Sequence, residues 1–554
     1  MKINPAEFQD KRISDYLYWY AEKTPGKEAV GLGKDMQTYA DLLGRVEDCA
    51  RGLIALGIKK GDRVATLSPP HPDYVIIFLA TTAIGGIWLG LNPRYTRAEL
   101  EHVISDAEPS VIFTRSRIDK RRFCEELDYI RDKVRSVKRV IVLGNDFVRP
   151  PDCSYNDFLH YGDNVGDAAL ADARTAVASR DAAVLVYTSG TTGKPKGAVL
   201  HHYGAIRHAY VQMSLRSSGE VRQVNAYPIN HIASVIASSV YCLVVGGTAY
   251  FLEKFDPEMV LRTIQEKRIS TWGGVPVMLQ KVLDHPDFSS TDLSSINEIG
   301  CSGGMVPKPL LERISREICP AITTMYALTE AAGAVTAIPS TDNIDLLAES
   351  IGKPVDDCEF RLVNERGGEV RQGEPGEILI RGPFIMKEYW RLPEATREAI
   401  DNAGWLHTKD VAVERDDGNI VLVGRRSDMY KSGGYNIYPQ EIEQVLQAHP
   451  SVNLVCVVGV ADATYDEVGY AFVTPAPGET IDQQSLFDHC RLYLANYKIP
   501  KYVVIEASLP LLANNKPDKR RLKKTASEAV KLFAGRLVSS STTQGKSKWK
   551  ISQN

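Results

Sequence analysis

Short apolar runs alternate with longer amphipathic segments over most of this 554-residue chain, and no other feature constrains its fold as strongly. Residues 64–67 precede an amphipathic stretch at 72–83, and 111–113, 140–143 and 184–187 repeat the strand-like member of the pair. Such alternation predicts an α/β protein with largely parallel sheets. Between about 351 and 380 the pattern changes. Runs at 359–363 and 376–381 are separated by turn signals at 364–368 and 372–374, which predicts a small β-rich subdomain. Beyond Asp428, 439–448 and 484–494 read as helices and 454–460 and 469–474 as strands, the content of a compact α+β domain. A chain this long exceeds one ordinary core. The expected division is a large N-terminal domain over 1–426, a small C-terminal domain over 427–538, and a polar, basic, disordered tail over 539–554.

Composition excludes more than it names. Formal net charge is −3, so no global field draws in nucleic acid or anionic lipid. The nine cysteines are scattered, with no C-x-x-C and no grouping with histidine, which argues against structural zinc and a disulfide framework. That usage fits a reducing, cytoplasmic setting. The N-terminus carries no apolar signal-like stretch. Residues 232–252 are uncharged and long enough to span a bilayer, but Gly246-Gly247 divides them into a helix-like 232–245 and a strand-like 248–252. A buried helix, a glycine stop and a buried strand account for the whole stretch, so no membrane span is expected.

The sharpest local signal is Tyr187-Thr188-Ser189-Gly190-Thr191-Thr192-Gly193-Lys194-Pro195-Lys196-Gly197, placed directly after a strand-like run. Its glycines let backbone N–H groups turn toward an anion, and its hydroxyls and lysines add donors and charge. It is not a Walker A loop, because Pro195 follows Gly193-Lys194 and position 188 is threonine. A rival motif is Gly300-Cys301-Ser302-Gly303-Gly304, which matches the G-x-S-x-G nucleophile elbow of α/β-hydrolases and would make Ser302 the nucleophile. The elbow needs a helix immediately after its serine, and Pro307 and Pro309 delay any helix here.

The 187–197 stretch resembles the phosphate loop of the adenylate-forming superfamily, which includes acyl-CoA synthetases, peptide-synthetase adenylation domains and beetle luciferases. Further motifs agree in order from about Tyr16 to Lys524. The resemblance implies a large N-terminal domain and a mobile C-terminal one. It also implies an AMP-forming acid–thiol ligase that uses ATP and Mg²⁺ to make an acyl-adenylate and passes the acyl group to coenzyme A. By resemblance, Thr188, Ser189, Gly190, Thr191, Thr192 and Lys196 hold the phosphates, and Ser302, Gly303 and Gly304 pack against adenine. Tyr326-Ala327-Leu328-Thr329-Glu330 resembles Tyr-Gly-x-Thr-Glu, with Tyr326 stacking on adenine, Thr329 at the α-phosphate and Glu330 holding Mg²⁺. Ala327 departs from the usual glycine and should crowd the carboxylate end of the acyl pocket.

Asp410, in Thr408-Lys409-Asp410, resembles the ribose-binding aspartate of Thr-Gly-Asp, with Lys409 in place of glycine, and Arg425 matches the arginine at ribose and phosphate. Ser427 occupies the hinge position, usually Asp or Lys. Gly433 and Gly434 border the thiol tunnel by resemblance. Lys516, after Asn514-Asn515, matches the catalytic lysine, with Asn515 where glycine is usual. His231, Gly274, Ala327 and Ala332 are the expected acyl-pocket residues. No acid lies between Asn230 and Tyr250, which argues against an α-amino acid substrate, since a buried ammonium needs a partner. The expected partners are an apolar aliphatic or aryl carboxylic acid and coenzyme A, without nucleic acid; a homodimer is compatible with the sequence. The alternatives are transfer to a carrier-protein phosphopantetheine in trans, the hydrolase, and a non-catalytic ATP-binding relative.

Overall fold

The computed structural model describes residues 4–144, 152–188, 195–216, 219–512 and 516–539. The chain forms two compact units. The first takes Met1–Thr408 with Ala412–Leu422, and the second Lys409–Val411 with Val423–Asn554.

Two sheets with parallel cores carry the first unit. A seven-stranded sheet runs in the order Lys196–His201, Ala182–Thr188, Ile87–Leu91, Arg63–Leu67, Val111–Thr114, Arg139–Val142, Cys153–Ser154. Its strands are apolar almost throughout because both faces are covered. Ala65, Leu67, Leu89 and Ile112 pack with Leu100, Ile104 and Phe123, while Val64, Trp88, Val111 and Val184 face the other core. The helix Pro72–Ala83 is buried along nearly its whole length, with Pro72 in its first turn and the His71 ring accepting from Asp73 N at 3.1 Å.

A nine-stranded sheet has the order Lys353–Pro354, Gly333–Thr341, Ile322–Leu328, Glu298–Ser302, Thr271–Gly274, Arg222–Asn225, Thr248–Phe251, Glu28–Leu32, Asp35–Thr38. Its central strands are parallel, with Gly273 beside Gly300 and Gly300 beside Thr323. The expected small β sheet is present as Glu359–Val363, Gly376–Arg381, Leu406–Glu414 and Ile420–Arg425.

The uncharged 232–252 stretch is a helix, a glycine stop and the strand Thr248–Phe251, as expected, but the helix is not uniform. It runs Ile232–Ser234, then a π-helical Val235–Val240, then Tyr241–Val244. Among the described residues no helix is long and apolar enough to cross a membrane, and the eight described cysteines are free and buried.

The second unit is a mixed sheet in which Asp466–Pro475 pairs with Val452–Asp462 and, in parallel, with Tyr502–Ile505. Strand period decides its packing. Val455 and Val457 face the helices Pro439–Gln447 and Gln483–Tyr493, while Cys456, Val458 and Val460 face Leu522 and Ala526 of the helix Lys519–Ser539. That helix includes the first residue of the expected tail; 540–554 lie outside the described residues.

Candidate active site

In open α/β sheets ligands gather beyond the carboxyl ends of parallel strands. In the nine-stranded sheet those ends are Gly274, Ser302 and the Tyr326–Leu328 stretch, on three adjacent strands. Ser302 ends its strand. Gly303 turns out at φ 82°, a left-handed conformation that favours glycine, and a Cβ there would stand 2.8 Å from Val275 Cγ1. Gly304 is exposed, with open space where a Cβ would be. The next helix starts only at Lys308, so the strand-to-helix elbow that a Ser302 nucleophile requires is absent from this segment.

Beyond Tyr326 the register shifts at Ala327, whose methyl is exposed. Thr329–Ala331 then form a single 3₁₀ turn, closed by Ala332 N donating to Thr329 O at 2.9 Å with Ala332 at φ 52°. Buried Ala332 packs toward Gly204 of the helix His202–Leu215. The turn presents a half-buried Glu330, and Tyr389 Oη donates to Glu330 Oε1 at 2.7 Å. Met386 N donates to Glu330 O at 2.7 Å, and Trp390 N to Gly197 O at 2.7 Å. The 386–390 segment thus runs along the strand Lys196–His201, with Lys196 Nζ 5.3 Å from the Tyr389 ring centroid. Burial and the adjacent Glu330 carboxylate push the Tyr389 hydroxyl well above its ordinary pKa, so it stays a donor.

Among the described residues no group of three or more His, Cys, Asp or Glu could cage a metal. A lone carboxylate suits Mg²⁺ nonetheless, because that ion ordinarily combines one or two carboxylates with substrate phosphates and water. Thr188 ends its strand beside Lys196, whereas Ser189, Gly190, Thr191 and Thr192 lie outside the described residues. Gly274 is buried, with Met278 and Leu279 against its backbone. His231 is exposed and caps its helix, its Nδ1 accepting from Ala233 N at 3.1 Å.

The second unit gathers Asp410, Arg425 and Lys516. Asp410 is 2% exposed, and Arg425 Nε donates to its Oδ1 at 2.9 Å. Lys409 precedes it at φ 63°, a left-handed conformation that favours glycine. Lys516 is exposed, with Arg425, Asp410 and Lys519 near its charge. Desolvation and the Arg425 charge lower its pKa, with Asp410 opposing them. Lys519 behaves oppositely. Desolvation works against its charge, but Glu443 and Asp428, each 3.1 Å from its Nζ, outweigh that and raise its pKa. Ser427 is exposed, with its hydroxyl on Asp428.

Gly433 and Gly434, at φ 55° and 87°, are the two-residue turn joining Tyr430–Ser432 to Tyr435–Ile437. A turn with both central residues at positive φ calls for glycine whatever approaches it. The hairpin is thus sufficient reason for both glycines.

Sequence reasoning passed over Tyr389 and the buried pair Arg216–Glu298. Tyr389 sits in a polar segment with no periodic signal. Glu298 carried a weak one, as an acid in the strand-like run at 296–299.

Tyr326, Thr329, Glu330 and Lys196 at strand ends, with a second unit that holds Asp410, Arg425 and Lys516, are the residue set of an adenylate-forming enzyme. The chain belongs to the AMP-binding enzyme family, whose model matches residues 17–390, with the AMP-binding enzyme C-terminal domain matching 441–516. It is 35% identical to a feruloyl-CoA synthase from Amycolatopsis sp over 90% of this chain and 95% of that one. It is 34% identical to the 3-[(3aS,4S,7aS)-7a-methyl-1,5-dioxo-octahydro-1H-inden-4-yl]propanoyl:CoA ligase of Mycobacterium tuberculosis, over 88% of this chain and 93% of that one. The fold matches o-succinylbenzoate CoA synthetase (MenE) from Bacillus subtilis, solved with its acyl-adenylate intermediate, at TM-score 0.76 and 26% identity, over 93% of this chain and 98% of that one. The protein is an AMP-forming acid–CoA ligase that activates a carboxylic acid with ATP as an acyl-adenylate and transfers the acyl group to coenzyme A.

Proposed function

We propose that the acid is apolar and ring-bearing and that the two units divide the work. An N-terminal domain, residues 1–426, holds ATP and acid; a C-terminal domain, 427–538, supplies Lys516 for adenylation and then a thiol path past Gly433 and Gly434. The observation that supports this reading is that Lys516 stands near Arg425 and Asp410, the residues assigned to phosphate and ribose. Two of the relatives above are named for ring-bearing acids, and the uncharged helix after His231 suits an apolar body.

A carboxylate is a poor electrophile, and attack on the α-phosphorus of ATP makes it a mixed anhydride as pyrophosphate leaves. The protein needs to align two anions and neutralise the charge that builds on phosphate oxygens. Tyr326 offers an aromatic face to adenine and Asp410 accepts from the ribose hydroxyls. Thr329 and Lys196 meet phosphate oxygens, and Lys516 bridges the acid and the α-phosphate. Glu330, oriented by Tyr389, would hold Mg²⁺, which when bound adds charge neutralisation at the phosphates. Backbone rotation at Ser427 would then withdraw Lys516 and let the thiol displace AMP from the acyl carbon. Eight buried free cysteines favour a cytoplasmic location.

The test is pyrophosphate release with ATP and Mg²⁺ across straight-chain, ring-bearing and α-amino acids, each with and without coenzyme A. Release with ring-bearing acids, and acyl-CoA only when the thiol is present, is expected. Preference for straight-chain or amino acids overturns the acid class; adenylate without thioester redirects the acceptor to a carrier protein.

A further inference from the structure

The strand Glu298–Ser302 places Glu298, Gly300 and Ser302 on one face, because side chains alternate along a strand. Its two ends are about 13 Å apart at the usual rise. Ser302 marks the nucleotide end. At the other end Glu298 is 2% exposed and bound to Arg216, itself 8% exposed, with Arg216 Nε 3.0 Å from Glu298 Oε1. Thr323 Oγ1 donates to the same carboxylate oxygen at 3.0 Å. The guanidinium lies 4.9 Å from the ring centroid of Tyr241, in the helix that follows His231. Between the two ends stands Gly300, where a Cβ would come within 3.4 Å of Arg216 Nη2.

Arg216 Nη1 is buried and makes no hydrogen bond. A buried guanidinium N–H without an acceptor is costly, and buried polar groups ordinarily find one. An ion pair also burdens a pocket meant only for hydrocarbon, since apolar groups of the same volume are at least as stable there.

We propose that Arg216, held by Glu298, is a specificity-determining residue at the far end of the acyl pocket, where Nη1 meets an oxygen acceptor on the end of the acid remote from its carboxylate. The substrate class is a ring-bearing acid with a distal ketone, phenol or second carboxylate. This rests on the acid class proposed above. The strand length suits such an acid: a ring and a short side chain bridge most of the distance between Ser302 and Glu298.

The experiment compares kcat/KM for 3-phenylpropanoate with its 4-hydroxy, 4-acetyl and 4-carboxy analogues, with octanoate as the straight-chain control. The wild-type enzyme should favour at least one acceptor-bearing acid over 3-phenylpropanoate by about 10- to 10²-fold, the range for a hydrogen bond to a charged group. Arg216→Met should erase that preference while activity on 3-phenylpropanoate persists, and Arg216→Lys should restore part of it. Where Arg216→Met alone fails to fold, the double variant Arg216→Met with Glu298→Gln removes the buried charge altogether and carries the test; if neither folds, the wild-type preference decides. Use of ring acids without preference, or an unchanged preference in the variants, overturns the role of Arg216 alone. Use of octanoate with none of the ring acids overturns the acid class and this proposal with it.

Discussion

In the first unit, the groups assigned to nucleotide and acid stand where strands of the nine-stranded sheet end. In the second, they stand on turns and at a strand residue in strained conformation: Lys409 at φ 63°, the Gly433–Gly434 hairpin, and Lys516 near the surface. A binding surface that must align two substrates gains from a sheet that cannot shift. A group that serves one half-reaction and withdraws for the next gains from a short, replaceable attachment. Rigidity and titration also differ. The helix His202–Leu215 and its cap bury three neutral histidines, whereas Lys516 holds its charge against Arg425.

Acid should break this comparison most visibly. His201, His202 and His208 each accept a backbone N–H at Nδ1, from Gly204, Ile13 and Ala334, and burial lowers their pKa values to about 4, 4 and 3. Unfolded histidine titrates near 6.5, so below that pH the unfolded chain binds protons that the folded one refuses. Stability therefore falls as pH drops through about 6.5, by about 4 kcal/mol between pH 7.5 and 5.5 for the three together. Five of the six tryptophans lie in the first unit, so the urea midpoint by tryptophan fluorescence reads that unit. An unchanged midpoint would remove the histidines from the account.

Lys516→Ala sharpens the second half of the comparison. Pyrophosphate release should drop by at least ~10²-fold, the scale for one lost charge-stabilising group. Thioester formation from supplied acyl-adenylate should survive, and equal loss in both steps would sink the division of labour. Because its pKa lies below that of an ordinary lysine, the alkaline limb of kcat/KM for adenylation should fall early. Lys516→Arg should move that limb to higher pH.

The smallest effect concerns Lys409. Lys409→Gly and Lys409→Val remove the same polar side chain, yet the glycine variant should be more stable by about 1–2 kcal/mol, since left-handed backbone costs a branched residue most. Equal melting temperatures would show that the second unit does not hold this residue in that conformation.

Much of this was legible in the chain. The runs at 359–363 and 376–381 are strands with those same limits, because turn residues punctuate them. The run at 140–143 is instead the strand Arg139–Val142, since ladder pairing with Val111–Thr114 and not hydrophobicity sets its ends. The π-helical turn at Val235–Val240 left no trace in an uncharged segment, where periodicity has no charged face to register. Gly433-Gly434 was read as room for a ligand, although Gly-Gly between two short strand-like runs is itself a hairpin signal. Arg216 and Glu298 are far apart in sequence, and a pair of that kind becomes visible only once two elements pack.

The chain enters the second unit at Lys409, leaves it at Ala412 and returns at Val423. Exchange of that unit between relatives by a single splice before Arg425 would transfer the arginine and leave Asp410 behind with the host. Every such recombinant inherits the two halves of one ion pair from different parents, so the seam tolerates only hosts that already supply the acid.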